Sequence, residues 1–203
     1  MKIAVIGGTG RAGSEIVKEL AGRGHAVTAI ARHVDTVLTV PGVTFVPVDA
    51  ADVPGLTAAL EGHDAVVSSI QFSSPATPTL VDAVRAAGVG RYLVVGGAAG
   101  LKNADGIRLF DAPGFPEAWK PEAGAGIDFL GKLKTVNDID WTFLSPSMMF
   151  IEGPRTGKFR LGDDDLLSAP DGSSSISFAD YAIAVADEIE APAHSRRRFT
   201  VGY

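Results

Sequence analysis

The chain has 203 residues, no cysteine and a formal net charge of −6, with 46% hydrophobic and 21% charged residues. These values exclude a disulfide framework, thiolate metal sites and a cysteine nucleophile, and they leave ample apolar material for a core. The acidic balance, with Arg196-Arg197-Arg198 the single basic cluster, argues against a nucleic-acid partner, and no apolar run approaches the ~20 residues a bilayer span needs.

Met1 leads straight into residues 2–6, Lys-Ile-Ala-Val-Ile, an apolar run of the kind a strand buried on both faces shows. That start leaves no space for a signal peptide, so a cytoplasmic protein is expected. Glycines follow at 7, 8, 10 and 13, and residues 10–23 read as a helix closed by Gly24. Gly8-x-Gly10-x-x-Gly13 fits the dinucleotide fingerprint, and Gly7-x-x-Gly10-x-x-Gly13 overlays it with one more residue in the turn. Glycine is needed there because the chain turns sharply, a pyrophosphate must approach bare backbone, and helix must pack closely on strand. The helix N-terminus then offers unpaired N–H groups to the phosphates. Gly7, Thr9, Gly10, Arg11, Ala12 and Gly13 are the expected contacts.

Further strands are expected at 26–31, 43–48, 65–69, 91–96, 141–144 and 199–201, with helices at 53–61, 77–87, 117–136 and from 176–180 to about 189. This alternation predicts right-handed βαβ units in a Rossmann-type, doubly wound α/β fold, its mostly parallel sheet covered by helices on both faces. The whole chain, 1–203, is expected to form one NAD(P)-binding domain, with a short substrate-side appendage at 147–203 that begins irregularly. A glycine- and proline-rich loop at 97–116 is too long for an ordinary βα connection and reads as a functional flap. Phe110 and Phe115, with Trp119 just beyond it, are candidate substrate-stacking residues; an apolar surface flap without a ligand role is the alternative.

About twenty positions past the third glycine, NAD sites carry an acidic residue for the ribose 2′-OH. This chain has Arg32 there, followed by His33. A guanidinium cannot accept hydroxyl protons but can fork onto a 2′-phosphate, and Arg11 could close on the same group. NADP(H) is therefore expected over NAD(H). Asp35, the rival acidic residue, looks more like a helix N-cap. Sheet topology places Asp49 and Ala50 at the adenine edge, Ser68 and Ser69 beside the ribose and pyrophosphate, and Gly96 and Gly97 under the nicotinamide. His25, His33, His63 and His194 lack metal-ligand spacing, and no metal is expected. Asp163-Asp164-Asp165 and Arg196-Arg197-Arg198 read as solvated segments, and Asp128 with Lys132 as a surface i,i+4 pair.

Ile-Gly-Gly-Thr-Gly-Arg-Ala-Gly at 6 to 13, Ala-Ile-Ala-Arg at 29 to 32, Val-Pro-Val-Asp at 46 to 49 and Tyr-Leu-Val-Val-Gly-Gly at 92 to 97 carry a resemblance, as do Trp-Thr-Phe-Leu-Ser-Pro-Ser at 141 to 147 and Ile-Ser-Phe-Ala-Asp-Tyr-Ala at 176 to 182. Along its whole length the chain resembles the atypical short-chain dehydrogenase/reductase superfamily, in the small NAD(P)-binding branch of NADH-flavin reductases, biliverdin reductase B-like flavin reductases and NmrA-like proteins. The resemblance implies that Ser145-Pro146-Ser147 borders the nicotinamide, with Pro146 a cofactor contact and Ser147 a candidate to hold a substrate oxygen. It also makes Lys132 a candidate near the nicotinamide ribose, and implies a monomer or homodimer.

One departure narrows the chemistry. Most of the superfamily uses a Tyr-x-x-x-Lys pair, in which a lysine ammonium lowers the tyrosine pKa from the same helix face. Tyrosine stands here only at 92, 181 and 203, never with lysine four residues later, and the fifth strand ends Gly96-Gly97-Ala98-Ala99 without a serine. Carbonyl reduction needs a proton delivered to an alkoxide, whereas a flavin accepts hydride into a delocalised ring that is readily protonated. The expected function is an NAD(P)H-dependent oxidoreductase passing hydride to FMN or a similar planar acceptor. A non-catalytic, NmrA-like NADP(H)-binding redox sensor is the alternative, and a sugar-nucleotide epimerase relative a third.

Overall fold

Ile3, Ala4, Val5 and Ile6 are all buried, which places β1 (Lys2–Ile6) in the middle of a sheet with apolar layers on both sides. The computed structural model describes residues 1–34 and 40–203; Asp35, read above as an N-cap, lies outside them. α1 (Arg11–Gly22), β2 (Ala26–Ala31), β3 (Val43–Pro47), α2 (Val53–Leu60) and β4 (Ala65–Ser68) follow β1. Then come α3 (Leu80–Ala86), β5 (Arg91–Val95), α4 (Lys120–Leu133) and β6 (Asp140–Pro146). The chain closes with β7 (Met149–Ile151), β8 (Arg160–Gly162), β9 (Ser175–Ser177), α5 (Phe178–Glu190) and β10 (Arg197–Gly202).

Eight strands form one sheet in the order β3-β2-β1-β4-β5-β6-β10-β8, parallel except for β8, while β7 and β9 pair separately. This is the Rossmann-type architecture expected, and the strand order reverses between β1 and β4, where such sheets open a ligand crevice. One face is covered by α1 and α5, burying Ile16, Leu20, Tyr181 and Val185; the other by α2, α3 and α4, burying Leu56, Val84, Phe129 and Leu133. Each such side chain contributes roughly 1.5–3 kcal/mol of transfer free energy.

Several details differ from the sequence expectation. The segment after Pro146 carries three short strands, too brief for a period to show. β10 pairs with β6 inside the main sheet and α5 packs on α1, so the C-terminal stretch completes the fold. Prolines reshape two helix starts: Thr77–Thr79 and Glu117–Trp119 are 3₁₀ turns, and α4 proper begins with Pro121 in its first turn. The acidic triplet and the arginine run are not simply solvated. Arg197 pairs with Asp163 and Arg198 with Asp164. Lys132 does not pair with Asp128; its Nζ donates to the Pro78 carbonyl at 2.5 Å and lies 3.9 Å from Asp82. Among the described residues no helix is long and apolar enough to cross a membrane, and no group of three metal-ligating side chains converges.

Candidate cofactor cleft and acceptor cavity

Gly7 turns the chain at φ +79°, a left-handed conformation, and its carbonyl accepts the Gly10 N–H at 3.0 Å. A Cβ on Gly7 would stand 2.2 Å from the Ser69 carbonyl oxygen, and one on Gly13 2.1 Å from the Gly7 oxygen. Gly7-x-x-Gly10-x-x-Gly13 is thus the spacing that frames the turn, while Gly8 faces Ala29 of β2. Helix α1 then starts with no side-chain cap and no acidic residue in its first turn, Arg11-Ala12-Gly13. An uncapped helix start beside an open glycine turn suits a diphosphate, so these residues fit a dinucleotide.

Beyond the carboxyl ends of β1 to β4 lies a hollow of about 580 Å³. Gly7, Thr9, Gly10, Arg32, Asp49, Ala50 and Ser69, among the residues read as cofactor contacts, line it together with His33 and Gln71. Four expected contacts, Arg11, Ala12, Gly13 and Ser68, do not line it. Arg11 sits with its guanidinium 5.7 Å above the Phe178 ring and is absent from the wall that Arg32 forms. Ser68 is buried, its Oγ 2.8 Å from the Tyr92 hydroxyl of β5, which holds it in the core layer beneath the hollow.

A second hollow, about 800 Å³, meets the first at Gln71, which lines both. Gly96 and Gly97 line it, as do Phe115 and the rim residue Trp119, which is 62% exposed. Phe72, Ile127, Phe143, Met148 and Met149 complete its apolar wall, and the sequence had marked none of them. Phe110 stands behind the wall, 5.4 Å from Phe115, with Arg108 over its ring. Phe72 packs between Phe129 and Phe143 at 5.7 and 5.8 Å, and a Cβ on Gly126 would come within 2.9 Å of its ring. Among the described residues, the charged ones lining it are Glu122 and Arg198. The loop expected to be a flap is tied down: Lys102 donates its N–H to the Asp164 carbonyl at 2.9 Å and accepts from Leu166 at 2.8 Å.

The residues proposed beside the nicotinamide do not reach this cavity. Ser147 is fully buried and donates its Oγ to the Val201 carbonyl at 3.1 Å. Pro146 pairs with Val201 inside the sheet and lines neither hollow. Lys132 points toward α3. The misplacement of Ser147 and Pro146 comes from β10, whose insertion next to β6 covers the strand end that looked open. All three tyrosines serve the framework: Tyr92 meets Ser68, Tyr181 donates to the Leu144 carbonyl, and Tyr203 to Asp180. Burial pushes the Tyr92 and Tyr181 phenols well above their ordinary pKa.

A cleft at the switch point of a parallel sheet, framed by the glycine turn and an uncapped helix start, defines a dinucleotide-binding Rossmann protein. The chain belongs to the NAD(P)H-binding family, whose model matches residues 7–192. It is 39% identical to YwnB, an uncharacterised protein of Bacillus subtilis (strain 168), over 99% of this chain and 98% of that one. Similar solved structures include a Burkholderia pseudomallei protein described provisionally as exported, 42% identical with a TM-score of 0.90 over the whole of both chains. A Bacteroides thetaiotaomicron protein, provisionally an epimerase, is 38% identical with a TM-score of 0.94 over 100% of this chain and 96% of that one. A Streptococcus pneumoniae TIGR4 protein, provisionally an NADH-flavin reductase, is 36% identical with a TM-score of 0.83 over 100% and 99%.

Proposed function

We propose that this protein is an NADPH-dependent reductase that delivers hydride to a flavin or similar planar acceptor. The observation that carries the reading is the second hollow, which meets the cofactor cleft at Gln71, is walled by aromatic and methionine side chains, and among the described residues presents no tyrosine, serine, threonine or histidine. Bound NADPH would supply a hydride, and the acceptor would complete its reduction with a proton from water. The protein's part is then proximity and orientation. Gly96 and Gly97 keep one wall flat, Phe72, Phe115 and Phe143 offer stacking surfaces, and Trp119 shields the rim.

Arg32, with His33, supports a preference for NADPH, because a guanidinium at that wall matches a 2′-phosphate. The description of the Streptococcus protein agrees with the reading. Epimerase chemistry, described for the Bacteroides protein, is disfavoured here by the missing Tyr-x-x-x-Lys pair. NADPH dependence favours a cytoplasmic location, which cell fractionation would check.

The test is a titration of the protein into NADPH, followed by nicotinamide fluorescence, and then addition of FMN. Fluorescence enhancement followed by enzyme-dependent loss of NADPH is the expected result. Enhancement without loss, repeated with other flavins and quinones, would replace the reductase with a cofactor-sensing protein.

A further inference from the structure

Arg198 enters the acceptor cavity from β10, in register with Phe143 of β6, which lines the same wall. Its side chain is only 11% exposed. The guanidinium is held on two sides: Nε donates to Asp164 at 2.8 Å, Nη2 donates to the same carboxylate, and Nη1 donates to the Gly100 carbonyl at 2.8 Å. A Cβ on Gly100 would come within 2.9 Å of Nη1, so glycine at that position lets the cation lie against the backbone. Three of the five guanidinium N–H groups are therefore engaged, and two have no hydrogen-bond partner among the described residues. The other charged lining residue, Glu122, already accepts two backbone N–H groups. An otherwise apolar chamber thus has one cation on its wall with donors to spare.

We infer that Arg198 forms an anion subsite within the acceptor cavity, so that the preferred acceptors are planar molecules bearing a phosphate, carboxylate or sulfonate. The inference rests on reading the cavity as the acceptor site. Asp164 and Gly100 hold the fork in place, and the free N–H groups meet the acceptor's charge where little water screens it.

FMN and riboflavin share one ring system and differ by a phosphate, so their ratio isolates the charge. The measurement is kcat/KM for each with NADPH, in the native protein and in Arg198→Met, Arg198→Lys and Asp164→Asn. Flavin binding to NADP-loaded protein, read by flavin fluorescence quenching, gives the same ratio without turnover. The native protein is expected to prefer FMN by about tenfold or more, the range of one charge-assisted hydrogen bond. Arg198→Met abolishes that preference and Arg198→Lys keeps part of it. Asp164→Asn strengthens it, because the opposing charge is gone while Gly100 still holds the fork. A pure brace between Arg198 and Asp164 would instead shift both flavins alike in Arg198→Met and Asp164→Asn, and an unchanged ratio overturns the inference while leaving the reductase intact. A binding ratio that depends on Arg198 in a protein that reduces neither flavin sustains the subsite and removes the reductase. Failure of both flavins to bind overturns both.

Discussion

Glu122 and Phe72, fifty positions apart, are joined where the two hollows meet: the carboxylate accepts the Phe72 N–H at 2.7 Å and, through its other oxygen, the Ser73 N–H at 2.8 Å. One side chain in the first turn of α4 thereby fixes the loop that follows β4. That loop carries Gln71, the residue shared by cleft and cavity. Replacing Glu122 by Ala is expected to cost about 1–2 kcal/mol, since both hydrogen bonds are charge-assisted and the one from Phe72 is partly buried. Acceptor KM rises more than the dissociation constant for NADPH. Thermal unfolding reads the stability loss, nicotinamide fluorescence the NADPH affinity and steady-state kinetics the acceptor KM, and an equal loss at both sites would show that the loop is not the joint.

The glycines divide into framework and space. Gly13→Ala sets a Cβ against the Gly7 carbonyl and is expected to destabilise the fold by about 2 kcal/mol and abolish NADPH binding. Gly97→Ala meets nothing within 4 Å, because its Cβ enters open space by the cavity. That variant should melt within about 1 kcal/mol of the native protein yet lose much of its acceptor turnover. Normal turnover in Gly97→Ala would move the acceptor away from this wall.

Arg32→Gln tests the cofactor assignment. Loss of a bidentate phosphate contact should weaken NADPH by about ten- to hundredfold and leave NADH within a few-fold. Isothermal titration with both cofactors reads the difference, and equal weakening of the two would refute a 2′-phosphate role.

Stability in acid depends on Asp180, at the start of α5. Burial opposes its ionisation, but hydrogen bonds from Thr156, Gly157 and Tyr203 outweigh that and hold the carboxyl below its ordinary value. A depressed folded pKa contributes stability above the unfolded value of about 3.9, and that contribution disappears as pH falls toward the folded value. Asp180→Asn is expected to lose about 2 kcal/mol at neutral pH and to show a shallower acid limb in urea titrations at decreasing pH. A parallel acid limb would assign the acid sensitivity to other carboxylates, such as Glu19, which Arg155 and Arg23 also hold low against the effect of burial.

The glycine turn, the alternation of strands and helices, the position of Arg32 and the lack of a Tyr-x-x-x-Lys pair were all legible in the sequence. Each is a local pattern: a two-residue or 3.6-residue period, a required left-handed turn, or a spacing along one helix. Those patterns fix where strands end, and strand ends locate the cleft in a parallel sheet. The acceptor side was less legible because its wall comes from six separate stretches of chain, Phe72 to Met149 and Arg198 among them.

Which side a residue faces, and what covers it, depended on pairings between distant strands. β10 lies against β6 and so seals Ser147 beneath Val201, while the same pairing carries Arg198 into the cavity. Ser68 turned inward to Tyr92, Lys132 toward Pro78, and the loop after β5 was bound to the Asp164–Leu166 segment. The sequence by itself determined a nucleotide-binding fold and removed the usual acid–base pair. The tertiary structure alone decided which polar groups reach the second cavity, because strand register and order place residues that no local period relates.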